Sequence, residues 1–137
     1  MSVGYDGTWY EWERVQDAKH GAGWREPDIG QERRSIWWDR VENNKTPKQA
    51  KEFCESLGLD LPENEDFERL RSFMGSEPGT HTGFKSQVLP DLKGRWFWSS
   101  SVHPTGPDYA YYFDGYYGDI GYGNCSNYNF SVRCVAR

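Results

Sequence analysis

The chain has 137 residues and a formal net charge of −5, with a hydrophobic fraction of 36% and an aromatic fraction of 17%. This length suits a single domain over residues 1–137, and the composition predicts a core of a few large rings rather than many aliphatic side chains. The acidic balance offers no cationic surface for a phosphate backbone, which excludes nucleic acid as an expected partner, and no apolar run reaches the roughly 18 residues of a membrane span.

The N-terminal part of the chain gives few local signals. Residues 5–15 carry loosely alternating aromatic side chains, which predicts a strand or hairpin arm. Residues 16–32 are polar and rich in glycine, so irregular structure is expected there. Residues 1–36 therefore receive no firm assignment. Met1 is not followed by the basic and apolar regions of a signal peptide, so either the protein stays inside the cell or the sequence is an excised part of a longer exported chain.

Two helices are predicted from capping residues and apolar spacing. In the first, Thr46 is the N-cap, Pro47 takes the first helical position and Gln49 closes a capping box. Its apolar residues recur at i, i+3, i+4 and i+7 until Gly58 ends the helix. The second covers residues 63–74, whose first turn carries the acidic side chains that a helix dipole favours. Its apolar face comprises Phe67, Leu70 and Met74.

Four strands are predicted after the helices. Residues 76–95 carry repeated Pro and Gly without a sustained period, which predicts a long structured loop. Beyond it, aromatic and β-branched residues bounded by glycine turns predict strands at residues 96–101, 109–114, 116–120 and 130–136. Two helices followed by an antiparallel sheet is an α+β arrangement.

Residues 108–130, here called the tyrosine tract, hold seven of the nine tyrosines, with three Asn, three Asp, four Gly and no Lys, Arg, Glu or Gln. Recognition loops favour this composition, because Tyr gives a large rigid surface while Asn, Ser and Gly give adaptable hydrogen bonding. A plain antiparallel sheet with aromatic packing, or a low-complexity segment, has a similar composition. We expect Ala110, Phe113 and Ile120 to point inward, which leaves other rings of the tract for contacts outside the core.

Catalytic and metal chemistry receives little support from the sequence. His20, His81 and His103 lie in separate Gly- or Pro-containing loops, and no two have the i, i+4 spacing of metal ligands. We therefore interpret them as surface loop histidines. The serines at residues 99–101 have no elbow glycines and no evident histidine partner for nucleophilic catalysis.

Three cysteines, Cys54, Cys125 and Cys134, leave room for one disulfide and one free thiol. Their spacing matches neither a C-x-x-C redox motif nor a paired zinc-knuckle motif. Spacing alone does not select the pair.

Several motifs follow one another in a specific order. A helix reading A-x-x-F-C-x-x-x-G leads into Leu61-Pro62, a W-S-S strand and an A-x-x-F-x-G hairpin follow, and the chain ends F-S-V-R-C-V-A-R. In this order the chain resembles bacterial C-type-lectin-like domains over about residues 37–137. More narrowly, it is similar to an uncharacterised bacterial family that ends in V-R-C-V.

The resemblance implies a C-type-lectin-like fold, in which two helices pack on a twisted antiparallel sheet with a long loop region. It pairs Cys54 with Cys134 in a disulfide and leaves Cys125 unpaired; the alternative is two buried free thiols in a cytosolic protein. Domains of the family cap surface or secreted bacterial proteins, including collagen-like trimeric adhesins that bind glycosaminoglycan-like sugars. Retroelement-diversified receptor-binding proteins share the broader fold, and the tyrosine tract has the residue palette of their variable regions.

Departures from the family pattern bear on metal binding and catalysis. Calcium-dependent lectins use E-P-N or Q-P-D and W-N-D motifs, whereas this chain has Glu77-Pro78-Gly79 and Trp98-Ser99-Ser100, which lack the required amide and carboxylate. We therefore expect no calcium site and no cofactor. Formylglycine-generating enzymes, relatives by fold, use paired active-site cysteines near the C-terminus, and the cysteines here have a different spacing. No enzymatic function is expected.

The sequence therefore predicts a non-catalytic recognition module, the terminal adhesin domain of a bacterial surface or secreted protein, located outside the cell and presented as a homotrimer. A glycan is the favoured ligand, because aromatic rings cover the apolar C–H faces of sugars, and a cell-surface protein is second. The expected stacking residues are Tyr109, Tyr111, Tyr116, Tyr117, Tyr122 and Tyr128. The expected hydrogen-bond partners are Asp119, Asn124, Asn127 and Asn129. The competing interpretation is a structural or oligomerisation domain whose aromatic tract is buried between subunits.

Overall fold

A computed structural model of the chain describes residues 2–4, 7–74, 88–89, 92 and 95–137. The helices are α1 (Pro47–Ser56) and α2 (Asn64–Phe73). The strands are β1 (Ser2–Val3), β2 (Trp9–Tyr10), β3 (Glu13–Asp17), β4 (Gly21–Arg25), β5 (Ile36–Trp38), β6 (Glu42–Lys45), β7 (Trp96–Val102), β8 (Ala110–Asp114), β9 (Asp119–Gly123), β10 (Phe130–Val132) and β11 (Val135–Ala136). The predicted loop over residues 76–95 lies mostly outside the described residues.

The strands form three sheets. β1 and β2 pair with each other, a five-stranded sheet has the order β6-β10-β7-β8-β9, and a four-stranded sheet has the order β11-β5-β4-β3. In the five-stranded sheet β10 runs parallel to β7, and the other neighbours are antiparallel. The α+β class is confirmed. The expectation of a single antiparallel sheet is wrong, because the larger sheet is mixed and the N-terminal residues supply most of a second sheet.

Both predicted helices are present, and local side-chain bonds define their ends. The Thr46 hydroxyl accepts a hydrogen bond from the Gln49 amide at 3.3 Å, and the Gln49 side chain accepts one from the Thr46 amide at 3.0 Å. Gly58 adopts a φ of +70°, which suits a glycine just beyond a helix end. α2 begins after Glu63, where the Asp66 carboxylate accepts a hydrogen bond from the Glu63 amide. Among the described residues, no helix is long and apolar enough to cross a membrane.

The helices pack against opposite faces of the five-stranded sheet. Phe97 and Trp98 are neighbours in β7, so their side chains point to opposite faces. Phe97 is buried in a cluster with residues of α2, including Phe67, whose ring stacks on Phe113 with centroids 4.7 Å apart. Trp98 is buried in a second cluster with residues of α1, including Ala50. As predicted, Phe113 is buried and belongs to the core.

The irregular structure expected for residues 16–32 is partly wrong, because β4 occupies Gly21–Arg25 and pairs with β3 and β5. Gly23 lies under Trp38, where an added Cβ would come within 2.7 Å of the indole. The glycine that indicated a loop is therefore a strand position that admits a large ring from the neighbouring strand.

The C-terminal prediction of one strand over residues 130–136 is wrong in a similar way. β10 belongs to the five-stranded sheet and β11 to the four-stranded sheet, so the chain changes sheets at Arg133 and Cys134. The Arg133 side chain is 1% exposed and donates a hydrogen bond to the Trp38 carbonyl at 2.8 Å. Cys134 is bonded to Cys54 of α1. These two attachments hold the crossing between sheets.

The disulfide implied by the resemblance is present. Cys54 and Cys134 are bonded across a sequence separation of 80 residues, and both are buried. Cys125 is the free thiol and is also buried, and burial raises the pKa of its thiol. A buried disulfide is consistent with an oxidising, extracellular location.

A buried ionic network joins α2 to the four-stranded sheet and to the C-terminus. Glu26 is fully buried and accepts two hydrogen bonds from Arg69, at 2.8 Å and 3.0 Å. Asp66 receives hydrogen bonds from Arg69 and Arg137. Burial by itself raises the pKa of Asp66. The hydrogen bond and charge of Arg137, the hydrogen bond from the Glu63 backbone amide and the hydrogen bond from Arg69 outweigh burial and hold the pKa below its usual value.

Candidate recognition site

The structure places the predicted tyrosines in three separate locations. Tyr109, Tyr111 and Tyr122 surround His103. Tyr116 and Tyr117 lie in the turn between β8 and β9, and Tyr128 lies beside Phe130. The predicted Tyr/Asn-rich contact residues therefore fall on three candidate surfaces.

Three of the predicted tyrosines form a compact group with a histidine, here called the tyrosine cluster: His103, Tyr109, Tyr111 and Tyr122. The ring centroid of His103 lies 5.2 Å from Tyr109, 5.0 Å from Tyr111 and 4.5 Å from Tyr122. Tyr111 and Tyr122 are opposite each other on β8 and β9, so their side chains share one face, and they meet edge to face at 5.9 Å. The pairing of the two strands assembles the cluster.

The interpretation of His103 as a surface loop histidine is wrong. Its side chain lies under the tyrosine rings, and the residue is 9% exposed, whereas Tyr122 is 62% exposed. The Thr105 amide donates a hydrogen bond to Nδ1 of His103 at 3.1 Å, so Nδ1 is an acceptor and the neutral ring carries its proton on Nε2. The buried imidazole thus packs against the exposed ring of Tyr122.

A groove of about 460 Å³ adjoins the cluster. His103 and Tyr109 belong to both, and the opposite wall is the first part of α1, with Lys48 and Lys51. Ser126 closes the groove from the loop after β9. This volume lies within the range of ligand pockets, and a wall with an aromatic ring, hydroxyl groups and ammonium groups can both stack on and hydrogen-bond a polar ligand.

The three asparagines of the prediction are exposed in the segment that follows β9. In this segment the Ser126 amide donates a hydrogen bond to the Asp108 carbonyl at 3.3 Å, which brings the loop of Asn124 and Asn127 beside the loop that carries Tyr109. Asn129 lies next to β10, on the side of Tyr128. Asn124 and Asn127 therefore lie on the side of the tyrosine cluster, and Asn129 lies on the side of Tyr128.

The turn between β8 and β9 corrects the strand predicted over residues 116–120. The Asp114 carboxylate accepts hydrogen bonds from the amides of Tyr116 and Tyr117, at 2.8 Å and 3.3 Å, and Gly118 has a φ of +79°. These contacts form a turn, and the strand begins at Asp119. The two tyrosine rings meet edge to face at 4.7 Å at the tip. They lie at the end of the hairpin opposite the tyrosine cluster.

The serines of the W-S-S strand have structural partners. The Ser99 hydroxyl donates a hydrogen bond to the side-chain oxygen of Asn64 at 2.7 Å, and the Ser100 hydroxyl donates one to the Leu61 carbonyl at 2.9 Å. The Ser101 hydroxyl accepts a hydrogen bond from the backbone amide of Asn64 at 2.9 Å. They attach the start of α2 to β7. In the described part of the chain, no group of three or more His, Cys, Asp or Glu side chains is arranged to hold a metal ion. Glu77 and His81 lie outside the described residues.

Trp96 and Tyr112 form a stacked pair of rings that is absent from the predicted contact residues. Trp96 is 42% exposed, and its indole stacks on Tyr112 with centroids 4.8 Å apart. Tyr112 is partly buried, and burial together with the nearby Cys125 and Asp114 raises its pKa. Trp96 lies on the same face of β7 as the fully buried Trp98, so the alternation of side chains alone did not indicate that Trp96 is exposed.

Comparison of the chain with protein-family models, with curated proteins and with solved structures gives no match.

Proposed function

We propose that the protein is a non-catalytic recognition module that binds a glycan through the tyrosine cluster, without calcium. The observation that supports this proposal is the exposed Tyr122 ring supported by Tyr111 and by the buried His103. A ring held in one orientation loses little side-chain entropy when a ligand stacks on it, so it stabilises a complex more than a mobile ring does. Sugars offer apolar C–H faces to such rings.

The surroundings of the cluster suit a polar ligand larger than one sugar ring. The groove beside Tyr109 is lined by Lys48 and Lys51 of α1, and by Ser126, which precedes Asn127 in the sequence. Amide and ammonium groups can donate hydrogen bonds to hydroxyl and carbonyl oxygens. A single site of this kind has an expected binding free energy of about −4 to −7 kcal/mol, which presentation on a trimer would strengthen by avidity.

We assign the chain a C-type-lectin-like fold and the role of a terminal adhesin domain on a bacterial surface or secreted protein. The Cys54–Cys134 disulfide supports an extracellular location, because cytosolic thiols are kept reduced. The order of helix, W-S-S strand, hairpin and terminal V-R-C-V supports the fold.

A second candidate is a structural module that assembles subunits and binds no external ligand. The observation in its favour is that large apolar side chains are exposed outside the tyrosine cluster as well. They include Trp9, Val102 and Tyr128. In that case the oligomer would bury Tyr122. Light scattering combined with iodination of tyrosines distinguishes the two, since a recognition module keeps Tyr122 reactive in its assembled state.

The direct test is a glycan and whole-cell binding array, run with calcium and with EDTA, on the wild type and on Tyr122→Ala. Tyr116→Ala is the matched control, because it removes an equally large ring at the other end of the same hairpin. We expect binding that is insensitive to EDTA, lost in Tyr122→Ala and retained in Tyr116→Ala. Binding that requires calcium, or no binder in the whole array, would contradict the proposal.

A further inference from the structure

A second aromatic surface lies on the opposite face of the five-stranded sheet from the tyrosine cluster. It comprises Trp96, Tyr112, Asp114, Asp119 and Gly121, and is here called the Trp96 platform. Asp114 of β8 is paired with Trp96 of β7 on one side and with Asp119 of β9 on the other. Tyr112 of β8 is paired with Gly121 of β9. Directly paired residues project from the same face of a sheet, so β7, β8 and β9 all contribute to one surface.

The rings of the platform are packed flat. The Trp96 and Tyr112 rings are stacked with an interplanar angle of 13°, and Phe130 meets Trp96 edge to face at 5.0 Å. Tyr112 stacks on the Trp96 indole, and Trp96 is nevertheless 42% exposed, so part of the indole remains accessible to solvent. An added Cβ on Gly121 would lie 2.7 Å from the Tyr112 ring, so this glycine allows the phenol to lie flat across β9.

Two carboxylates border the rings. Asp114 is fixed by the hydrogen bonds that its Oδ1 accepts from two amides of the β8–β9 turn. The side chain of Asp119 is 64% exposed, with its Oδ1 3.9 Å from Arg71. An ionised carboxylate accepts strong hydrogen bonds from hydroxyl groups and repels other anions. The platform therefore combines a partly exposed indole with acceptors for hydroxyl donors.

We propose that the Trp96 platform is a second binding site, which takes a neutral hexopyranose unit of an oligosaccharide. The apolar C–H face of the sugar stacks on the exposed part of Trp96, and its hydroxyls donate to Asp114 and Asp119. The two carboxylates disfavour uronic acids and sulfated sugars at this site. The inference depends on the proposed function in one respect, that the ligand is a glycan, and it uses none of the residues of the tyrosine cluster.

The test titrates cellohexaose, maltohexaose and chitohexaose into the whole protein, with a hexamer of galacturonic acid as the anionic probe. Tryptophan emission and saturation-transfer NMR report binding, since a sugar on Trp96 removes water from a half-exposed indole. The variants are Trp96→Ala, Gly121→Ala, which displaces Tyr112 without changing an aromatic residue, and Asp119→Asn, an exposed change that preserves shape. Trp9→Ala is the control, because it removes an indole that is 68% exposed on β2, outside both surfaces. Urea unfolding verifies that each variant is folded.

We expect at least one neutral hexamer to bind the wild type. Its affinity should fall roughly tenfold or more in Trp96→Ala and by a smaller factor in Gly121→Ala. Trp9→Ala should bind the neutral hexamer as the wild type does, and the anionic hexamer should bind only after Asp119→Asn. Neutral binding that survives Trp96→Ala, or equal binding of the anionic hexamer to the wild type, would overturn the inference. If no neutral hexamer binds while an array ligand is lost in Tyr122→Ala, the inference fails and the proposed function stands.

Discussion

Removing the disulfide is the perturbation whose effect on stability can be worked out most directly. The bridge between Cys54 and Cys134 spans 80 residues of sequence. In the chain-entropy treatment, a closed loop of this length restricts the unfolded chain enough to stabilise the folded protein by about 4.5 kcal/mol. A domain of this size has a total free energy of unfolding of roughly 5–15 kcal/mol, so the bridge accounts for a large part of it.

The measurement compares Cys54→Ala/Cys134→Ala with the wild type by urea unfolding. Alanine also removes two buried sulfur atoms, which costs packing energy independently of the bridge. Cys125→Ala is the control for that part, because Cys125 is a buried thiol without a bridge. The double variant should therefore lose about 4.5 kcal/mol more than twice the loss of Cys125→Ala. Reduction of the wild type by dithiothreitol should destabilise it by a similar amount.

A particular result would refute this reasoning. If the double variant loses no more than twice the loss of Cys125→Ala, the bridge contributes nothing beyond the packing of its sulfur atoms. The connection between α1 and the crossing from β10 to β11 would then have to depend on Arg133 and the two core clusters.

Three further changes test the core, the N-terminal hairpin and the β8–β9 turn. Glu26→Gln removes the fully buried carboxylate that accepts two hydrogen bonds from Arg69, and should lower the free energy of unfolding in urea by about 3 kcal/mol. A change near zero would show that the Glu26–Arg69 pair does not stabilise the fold. The pKa of His20 is raised, first by its hydrogen bond to Asp17, so its stabilisation is complete below the ordinary histidine pKa and is lost as the pH rises through the raised value. His20→Gln should therefore reduce the fall in stability between about pH 6 and pH 8, and an unchanged profile would contradict that assignment. Gly115→Ala places a Cβ 1.9 Å from the backbone carbonyl oxygen of Leu92. It should lower the free energy of unfolding by about 2 kcal/mol and the melting temperature by several degrees. An unchanged melting temperature would mean that Gly115 does not lie this close to Leu92 in solution.

Elements with local signals could be predicted, and elements that depend on distant partners could not. The capping box of Thr46 and Gln49 lies within four residues, so α1 was visible in the sequence. β4 was not, because Gly23 reads as a loop residue until Trp38 packs over it. The separation of β10 from β11 depends on Cys134 and on the buried Arg133, whose partners lie far away in the sequence.

The candidate site shows the same limit. Composition indicated that the tyrosine tract is a recognition surface, but the pairing of the strands determines which of its rings contact one another. The pairing of β8 with β9 joins Tyr111 to Tyr122 and sends Tyr116 to the far end of the hairpin. His103, which precedes the tract, completes the cluster, and nothing near it in the sequence marks it as buried.

The most direct test of the central claim is the affinity of a glycan identified on the array, measured by calorimetry for the wild type, Tyr122→Ala and Tyr116→Ala. A site at the tyrosine cluster predicts a loss of roughly tenfold or more for Tyr122→Ala, since truncation of an aromatic contact at the centre of a site costs more than 1 kcal/mol. Tyr116→Ala should leave the affinity unchanged. The opposite pattern, an unchanged affinity in Tyr122→Ala and a loss in Tyr116→Ala, would contradict the account and place recognition at the turn of the hairpin.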